Sequence, residues 1–337
     1  MDSSGAFRFR NLYPGVFLGT ASDRYAGWIG QIYTPGRYDR DIRTRDKKLG
    51  NRTFKESVLP VASVREYFEH FGVLELDSTF YALLRDGDGK PTRTWTLLAT
   101  YSRYIASGDR VLLKVPQAVC AAHRITGGRF VRNETYLDAD VFTRQFYLPA
   151  CELLGERIRG FLFEQEYTPK NVRATPEGVA RDMQAFFAQI PLDRRYHVEL
   201  RTEAYLREPL FEVLARHGVG QVLSHWTYLP PLRQQYALSG NRVLNAGGDL
   251  VIRLLTPRGM KYADAYAKAH PFAELREDML DPAMIPETVE IARAAVQAKA
   301  RANVIVNNRA GGNAPLVARR IEEAFLAVEG RPAAGER

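Results

Sequence analysis

Cysteine is nearly missing: Cys120 and Cys151 are the two in 337 residues, 31 positions apart and without CxxC spacing. That excludes a disulfide scaffold and a thiolate zinc site built within this chain, and the two read as small buried hydrophobes. No stretch of 18 residues escapes both charge and proline, so no membrane-spanning helix is expected. The opening MDSSGAFRFRNLYPG has neither an apolar core nor a cleavage site, so the expectation is no secretory signal and a cytoplasmic location. HExxH, GxSxG and Walker motifs are all lacking, no Gly-x-Gly-x-x-Gly follows the first strand, and His197-Val198-Glu199 lacks the Pro-Cys-x-x-Cys of a zinc deaminase.

Lysine is scarce too. Of 47 basic residues 38 are arginine and 9 lysine, and against 39 acidic residues they leave a net charge of +8. Arginine's planar fork suits phosphate and carboxylate, so anionic partners are favoured, although scattered arginine by itself marks no nucleic-acid footprint. One cluster is local: eight basic residues from Arg37 to Lys55 (Arg37, Arg40, Arg43, Arg45, Lys47, Lys48, Arg52, Lys55) against three aspartates, with no apolar period, read as a solvated basic loop.

What is present is a 45% hydrophobic, 26% charged chain with the composition of a folded globular protein. Eight β-branched or leucine-rich runs begin at Val16, Val73, Val111, Gly160, His197, Val219, Leu250 and Asn303. Helical patterns lie between most of them: Pro60 to Phe71, Asp138 to Leu154, Pro176 to Ile190, Glu203 to His217, Pro286 to Ala302, and finally Asn313 to Glu329. Trp226 to Gly248 shows no clear helix. Strands alternating with helices imply right-handed crossovers, and eight such units match an α/β fold, a single-domain TIM (β/α)8 barrel. The expected layout is a lead over 1–15, the barrel over 16–329 with a basic insertion at about 36–57, and a disordered tail over 330–337.

Strand side chains alternate faces, so in Val73-Leu74-Glu75-Leu76-Asp77 the leucines face helices while Glu75 and Asp77 point into the barrel. By the same parity Lys114, Glu164, Glu199, Arg201 and Arg253 converge on the interior near the C-terminal strand ends, where barrel enzymes keep their active sites. Burying so many charges is costly; a self-compensated salt-bridge layer and a polar active site both account for them. In the enzyme reading a carboxylate near Lys114 moves a proton and Arg253 orients the anion of a small phosphorylated or carboxylated sugar-like ligand. Glu199 beside Arg201 serves as base or orienting group, and a less compensated Glu75 or Glu164 as acid. The run Asn307-Asn308-Arg309-Ala310-Gly311-Gly312-Asn313 opens the last helix, and with Arg258 after the seventh strand it offers an anion cradle at Asn307, Asn308, Gly311 and Gly312. Trp28, Tyr81 and His123 stand where they can overhang the mouth and touch a ligand. Glu164, Glu199 and His225 end three successive strands and could furnish a Glu-Glu-His metal set, but the neighbouring Lys114 and Arg201 argue against it; no metal or other cofactor is expected. A nucleic-acid partner held by the basic insertion is the alternative.

Taken in order, Gly19-Thr20 with Tyr25 and Trp28, LELDSTFYALL (Leu74 to Leu84), LLKVPQ, FLFEQ, VELR, VIRLL with Lys261, Tyr262 and Tyr266, and VIVNN resemble the YecE-like family, domain of unknown function seventy-two. The resemblance runs from residue 16 to about 325 and implies a TIM barrel related to sugar-isomerase-like and endonuclease-like barrels, with no settled activity. Glu75, Asp77, Thr79, Phe80 and Tyr81 carry its most specific motif. The departures fall at strand ends: Asp23-Arg24 stands where the family tends to Gly-Trp, Leu255-Thr256 for His-Gly, Glu166-Tyr167-Thr168 for Leu-Pro-Pro, and Arg309 for Asp. A lost histidine and aspartate and a gained arginine shift the expected pocket from metal towards anions.

Overall fold

The computed structural model describes residues 7–126, 129–328 and 330. All eight expected runs are strands. They are β1 (Val16–Ala21), β4 (Val73–Leu76), β5 (Val111–Lys114), β8 (Ile158–Gln165), β9 (Tyr196–Leu200), β10 (Gly220–His225), β11 (Asp249–Leu254) and β12 (Arg301–Val306). They pair in parallel in the order β1-β12-β11-β10-β9-β8-β5-β4, and β1 closes the ring on β4. The result is a (β/α)8 barrel.

The alternation of faces produces layers. Leu74, Leu76, Leu113, Phe161, Phe163, Val198, Ile252 and Val304 point outward into the large core beneath the helices. Val73, Leu112, Leu162, Val222, Val251 and Ile305 fill the barrel's middle. Glycine at 19 permits the close approach of β1 to β4, because a Cβ there would lie 2.0 Å from the Val73 carbonyl oxygen.

The layer below holds His197, fully buried, in a slot where Gly220 leaves room: a Cβ at 220 would meet Nδ1 at 2.2 Å. Burial lowers the His197 imidazole from 6.5 to about 4, with Arg159 adding to the fall and Asp249 opposing it. The unfolded chain therefore takes up a proton at a pH where the folded protein does not, and stability contributed by neutral His197 is lost as pH falls from 6.5 towards 4. Urea denaturation at pH 7 and pH 4.5 is expected to show an acid-linked loss about 2 kcal/mol smaller in His197→Gln than in the wild type. Equal losses in both proteins would show that His197 titrates normally.

Several local expectations change. The pattern from Pro286 to Ala302 is helical only over Met284–Gln297, because Lys299, at φ 61, turns the chain into β12. Glu203 to His217 divides into a short turn and the helix Leu210–His217, with Pro209 at the N-cap. Trp226 to Gly248 contains the helix Leu232–Leu238, begun by Pro231. Two antiparallel hairpins are inserted, β2 (Arg43–Leu49) with β3 (Arg52–Val58), and β6 (His123–Thr126) with β7 (Arg129–Arg132). The first replaces the expected loop of the basic run by a hairpin, while seven of its eight basic residues, all but Lys47, are solvent-exposed as expected. Its Leu49 and Phe54 pack on the cluster of Ala265, Tyr266 and Phe272, contacts that no period within the run announces. Phe7 and Phe9 of the lead are buried, and the tail from 331 lies outside the described residues.

Candidate functional site

At the C-terminal ends of the strands the buried charges form one network. Arg253, 3% exposed, is its centre: Nε and Nη2 donate to the two Glu75 oxygens at 2.8 and 2.6 Å, and Nη1 donates to Glu199 and lies 3.5 Å from Glu164. Lys114 Nζ stands 2.5 Å and Arg201 Nη1 2.7 Å from Glu164. Arg201 Nε is 3.3 Å from Glu199, to which the Ser224 hydroxyl also donates. Three carboxylates thus face three cations and the charges balance. Burial alone would raise the Glu164 carboxyl, but Arg201, Lys114 and Arg253 hold it well below the usual range.

Two charged residues above this floor are not consumed. Asp77 opens the turn Asp77–Phe80 at the end of β4, and its carboxylate has no hydrogen bond or ion pair among the described residues. Arg309, in the turn Asn308–Ala310, has no acidic partner there either; its guanidinium lies 4.3 Å from the centre of the Tyr262 ring, and Nε is buried without an acceptor. Both line a cavity of about 240 Å³ whose base is the network of Glu75, Lys114, Glu164, Arg201 and Arg253, and whose walls are aromatic. Both also act electrostatically on Tyr25 and Tyr81.

The first hairpin contributes Lys47 to the cavity. Lys47 Nζ sits 4.7 Å from the Tyr266 ring centre and 3.7 Å from Glu56, which also pairs with Arg45 at 2.7 Å and accepts from the Tyr266 hydroxyl. Burial would raise Glu56, yet Tyr266, Lys47 and Arg45 together hold it below its ordinary value. Arg37 pairs with Glu66 at 3.3 Å, so part of the basic run is neutralised within the protein.

The structure brings Glu75, Asp77, Tyr81, Lys114, Glu164, Arg201, Arg253, Asn307 and Asn308 to the cavity wall, and Glu199 directly beneath it. Others stand elsewhere. Trp28 is fully buried behind the wall, where Nε1 donates to Asn308 Oδ1 at 3.1 Å. Gly311 and Gly312 form no anion cradle: the Gly312 amide donates to the Asn308 carbonyl, the Ala314 amide to Asn308 Oδ1 and the Leu316 amide to Asn313 Oδ1, which uses up the helix start. Arg258 pairs with Asp281 at 2.9 Å, and Asp281 lies 3.3 Å from His225 Nε2. His225 therefore turns away from Glu164 and Glu199, and the Glu-Glu-His set does not assemble. His123 begins β6 and does not line the cavity.

Roles shift as well. Glu164, expected to be lightly compensated, faces more cations than any other carboxylate of the floor, and Arg253, expected to orient an anion, is bound by three carboxylates. Unpaired charge at this mouth belongs to Asp77 and Arg309. Arg309 follows the Asn-Asn pair directly, and its departure from the family pattern was its one signal in the sequence. Asp23 is a further surprise: it is fully buried, accepts from the Tyr101 hydroxyl at 2.7 Å, and burial pushes it up to about 6 against the opposing Arg24 charge and the Tyr101 bond.

A closed parallel barrel of eight strands, with a charged, aromatic-walled cavity at its C-terminal end, places the protein among the (β/α)8 barrels. The chain belongs to the family described as protein of unknown function DUF72, whose model matches residues 17–335. Among solved structures it is similar to a DUF72 family protein from Thermotoga maritima MSB8, at 16% identity and TM-score 0.55 over 93% of this chain and 99% of that one. Another from Enterococcus faecalis V583 gives 14% and 0.52 over 93% and 95%. At such identity the likeness concerns the fold. No curated protein matches.

Proposed function

We propose that the mouth binds a small sugar-like ligand carrying one carboxylate or phosphate and catalyses proton transfer on it. The observation that supports this reading is that a carboxylate and a guanidinium without an ion pair among the described residues, Asp77 and Arg309, line one cavity above a charge-balanced floor. Arg309 receives the anion, and a guanidinium anchored on the Tyr262 ring meets two oxygens at once. Tyr25, Tyr81, Tyr262 and Trp226 line the cavity and supply aromatic surface for the apolar side of a sugar ring. Asp77 moves a proton at the carbon next to the ligand's carbonyl or carboxylate group. The carboxylates of the floor are held rigid by their bonds to Arg253, Arg201 and Lys114, so they position the ring and shape the surroundings of Asp77. No metal is needed in this scheme, because Glu164 and Glu199 are already bonded to cations; chelation is expected to leave ligand binding unchanged.

Calorimetric titration with glucuronate, galacturonate and hexose phosphates tests the reading. Arg309→Gln is expected to weaken binding of the anionic sugar roughly 10- to 100-fold, the range of one charge-assisted hydrogen-bonding partner. Neutral sugars of the same shape should bind both proteins equally weakly. Undiminished affinity in Arg309→Gln would remove the anion from this site.

A further inference from the structure

A row of aromatic rings leaves the mouth. Trp226 lines the cavity, stacks against the Arg201 guanidinium at 5.0 Å, and stands 5.1 Å from the Tyr228 ring and 6.4 Å from that of Tyr167. Tyr167 and Tyr228 stack on each other at 4.6 Å and 29°, and are 38% and 46% exposed. Tyr167 follows β8 and Tyr228 follows β10, so two separate loops supply the pair. The first loop is held in place: the Thr168 amide donates to Thr202 Oγ1 at 3.0 Å, and Arg173 donates to the Thr168 carbonyl at 2.8 Å while approaching the Tyr167 ring.

The two tyrosines stand in an open groove of about 750 Å³, with Lys170, Arg207, Glu203 and Gln234 on its sides. Lys170 and Arg207 are exposed and carry no ion pair among the described residues. The groove therefore repeats the chemistry of the mouth: a ring face, an unpaired cation, and a carboxylate with polar neighbours able to hold hydroxyls. A site repeated in this way fits a ligand that repeats a ring and a negative charge.

We propose that the groove is an outer subsite for the next unit of the same ligand, and that the ligand is a short oligosaccharide of uronic acid units. One ring occupies the mouth, the chain passes over Trp226, and the following ring rests against the exposed side of the stacked Tyr167–Tyr228 pair with its carboxylate towards Lys170 or Arg207. This inference rests on the mouth reading given above. A single-stranded nucleic acid also repeats ring and charge, but the basic run that would hold its phosphates has given part of its charge to Glu56 and Glu66.

Calorimetric titration of the intact chain with uronate monomers, dimers and trimers of the galacturonic, glucuronic and mannuronic series, and with a short single-stranded oligonucleotide, decides it. A dimer is expected to bind at least about tenfold more tightly than its monomer. Tyr167→Ala with Tyr228→Ala should abolish that gain and leave monomer affinity unchanged. Arg207→Glu should reduce the gain severalfold, and supplies the same readout if the double variant does not fold. Monomer binding without a gain for dimers would overturn the outer subsite while the mouth reading stands. Dimer binding that needs the two tyrosines but is indifferent to Arg309→Gln would support the outer subsite and overturn the mouth reading. Absence of binding throughout the series, or oligonucleotide binding that depends on the same tyrosines, would overturn the proposal.

Discussion

Replacing Arg253 by methionine is expected to lower folding stability by about 3–5 kcal/mol, the usual consequence of removing one partner from a buried ionic cluster. Glu75 is fully buried, and its two oxygens are bonded to Arg253, so it would be left with no cation. Glu164 and Glu199 would keep Lys114 and Arg201. Pairing the change with Glu75→Gln removes the orphaned charge, and the double variant should regain a large part of the loss. Urea denaturation at pH 7 measures both. A single-variant loss under about 1 kcal/mol would mean that the floor is not held together by ion pairing.

Asp77→Asn is expected to reduce turnover by a factor of about 10² to 10⁴, the range for removal of a general acid or base, while the melting temperature stays nearly unchanged. The Asp77 carboxylate has no bond to lose, since no hydrogen bond or ion pair holds it among the described residues. The measurement is the exchange of the carbon-bound proton for deuterium in uronates and sugar phosphates, followed by proton NMR in heavy water. Glu75→Gln gives the opposite pattern: lower stability, because Arg253 loses its two-point partner, and a smaller effect on exchange. Exchange that survives Asp77→Asn would transfer the proton step to another group.

The β-hairpin shows why some elements could not be read in advance. Nothing within Arg37 to Lys55 has an apolar period, because Lys47 and Phe54 rest on Tyr266, more than 200 positions along the chain. The helix Tyr262–Ala269, which supplies that platform, was itself hidden in the long crossover before the last strand. Elements whose apolar partners are remote give no local signal, whereas Val16–Ala21 or Asp249–Leu254 carries its own in successive residues.

The sequence by itself determined the barrel and the charged floor of its mouth. A period of two in each strand sends Glu75, Lys114, Glu164, Glu199 and Arg253 to the inside, with Leu112 and Leu162, and Leu74, Leu76 and Leu113 to the outside, and that parity depends only on backbone geometry. It could not determine which carboxylate meets which cation, because strand stagger and side-chain reach settle those pairings across up to 178 positions of chain. Only the tertiary structure therefore showed that Arg253 and Glu164 are spent on each other's neighbourhood, that Asn308 fills the helix start at Gly311 and Gly312, and that Asp77 and Arg309 are left with their charges open. Local periodicity decides which face a residue takes; the free charge of a site is what remains after every long-range partner has been assigned.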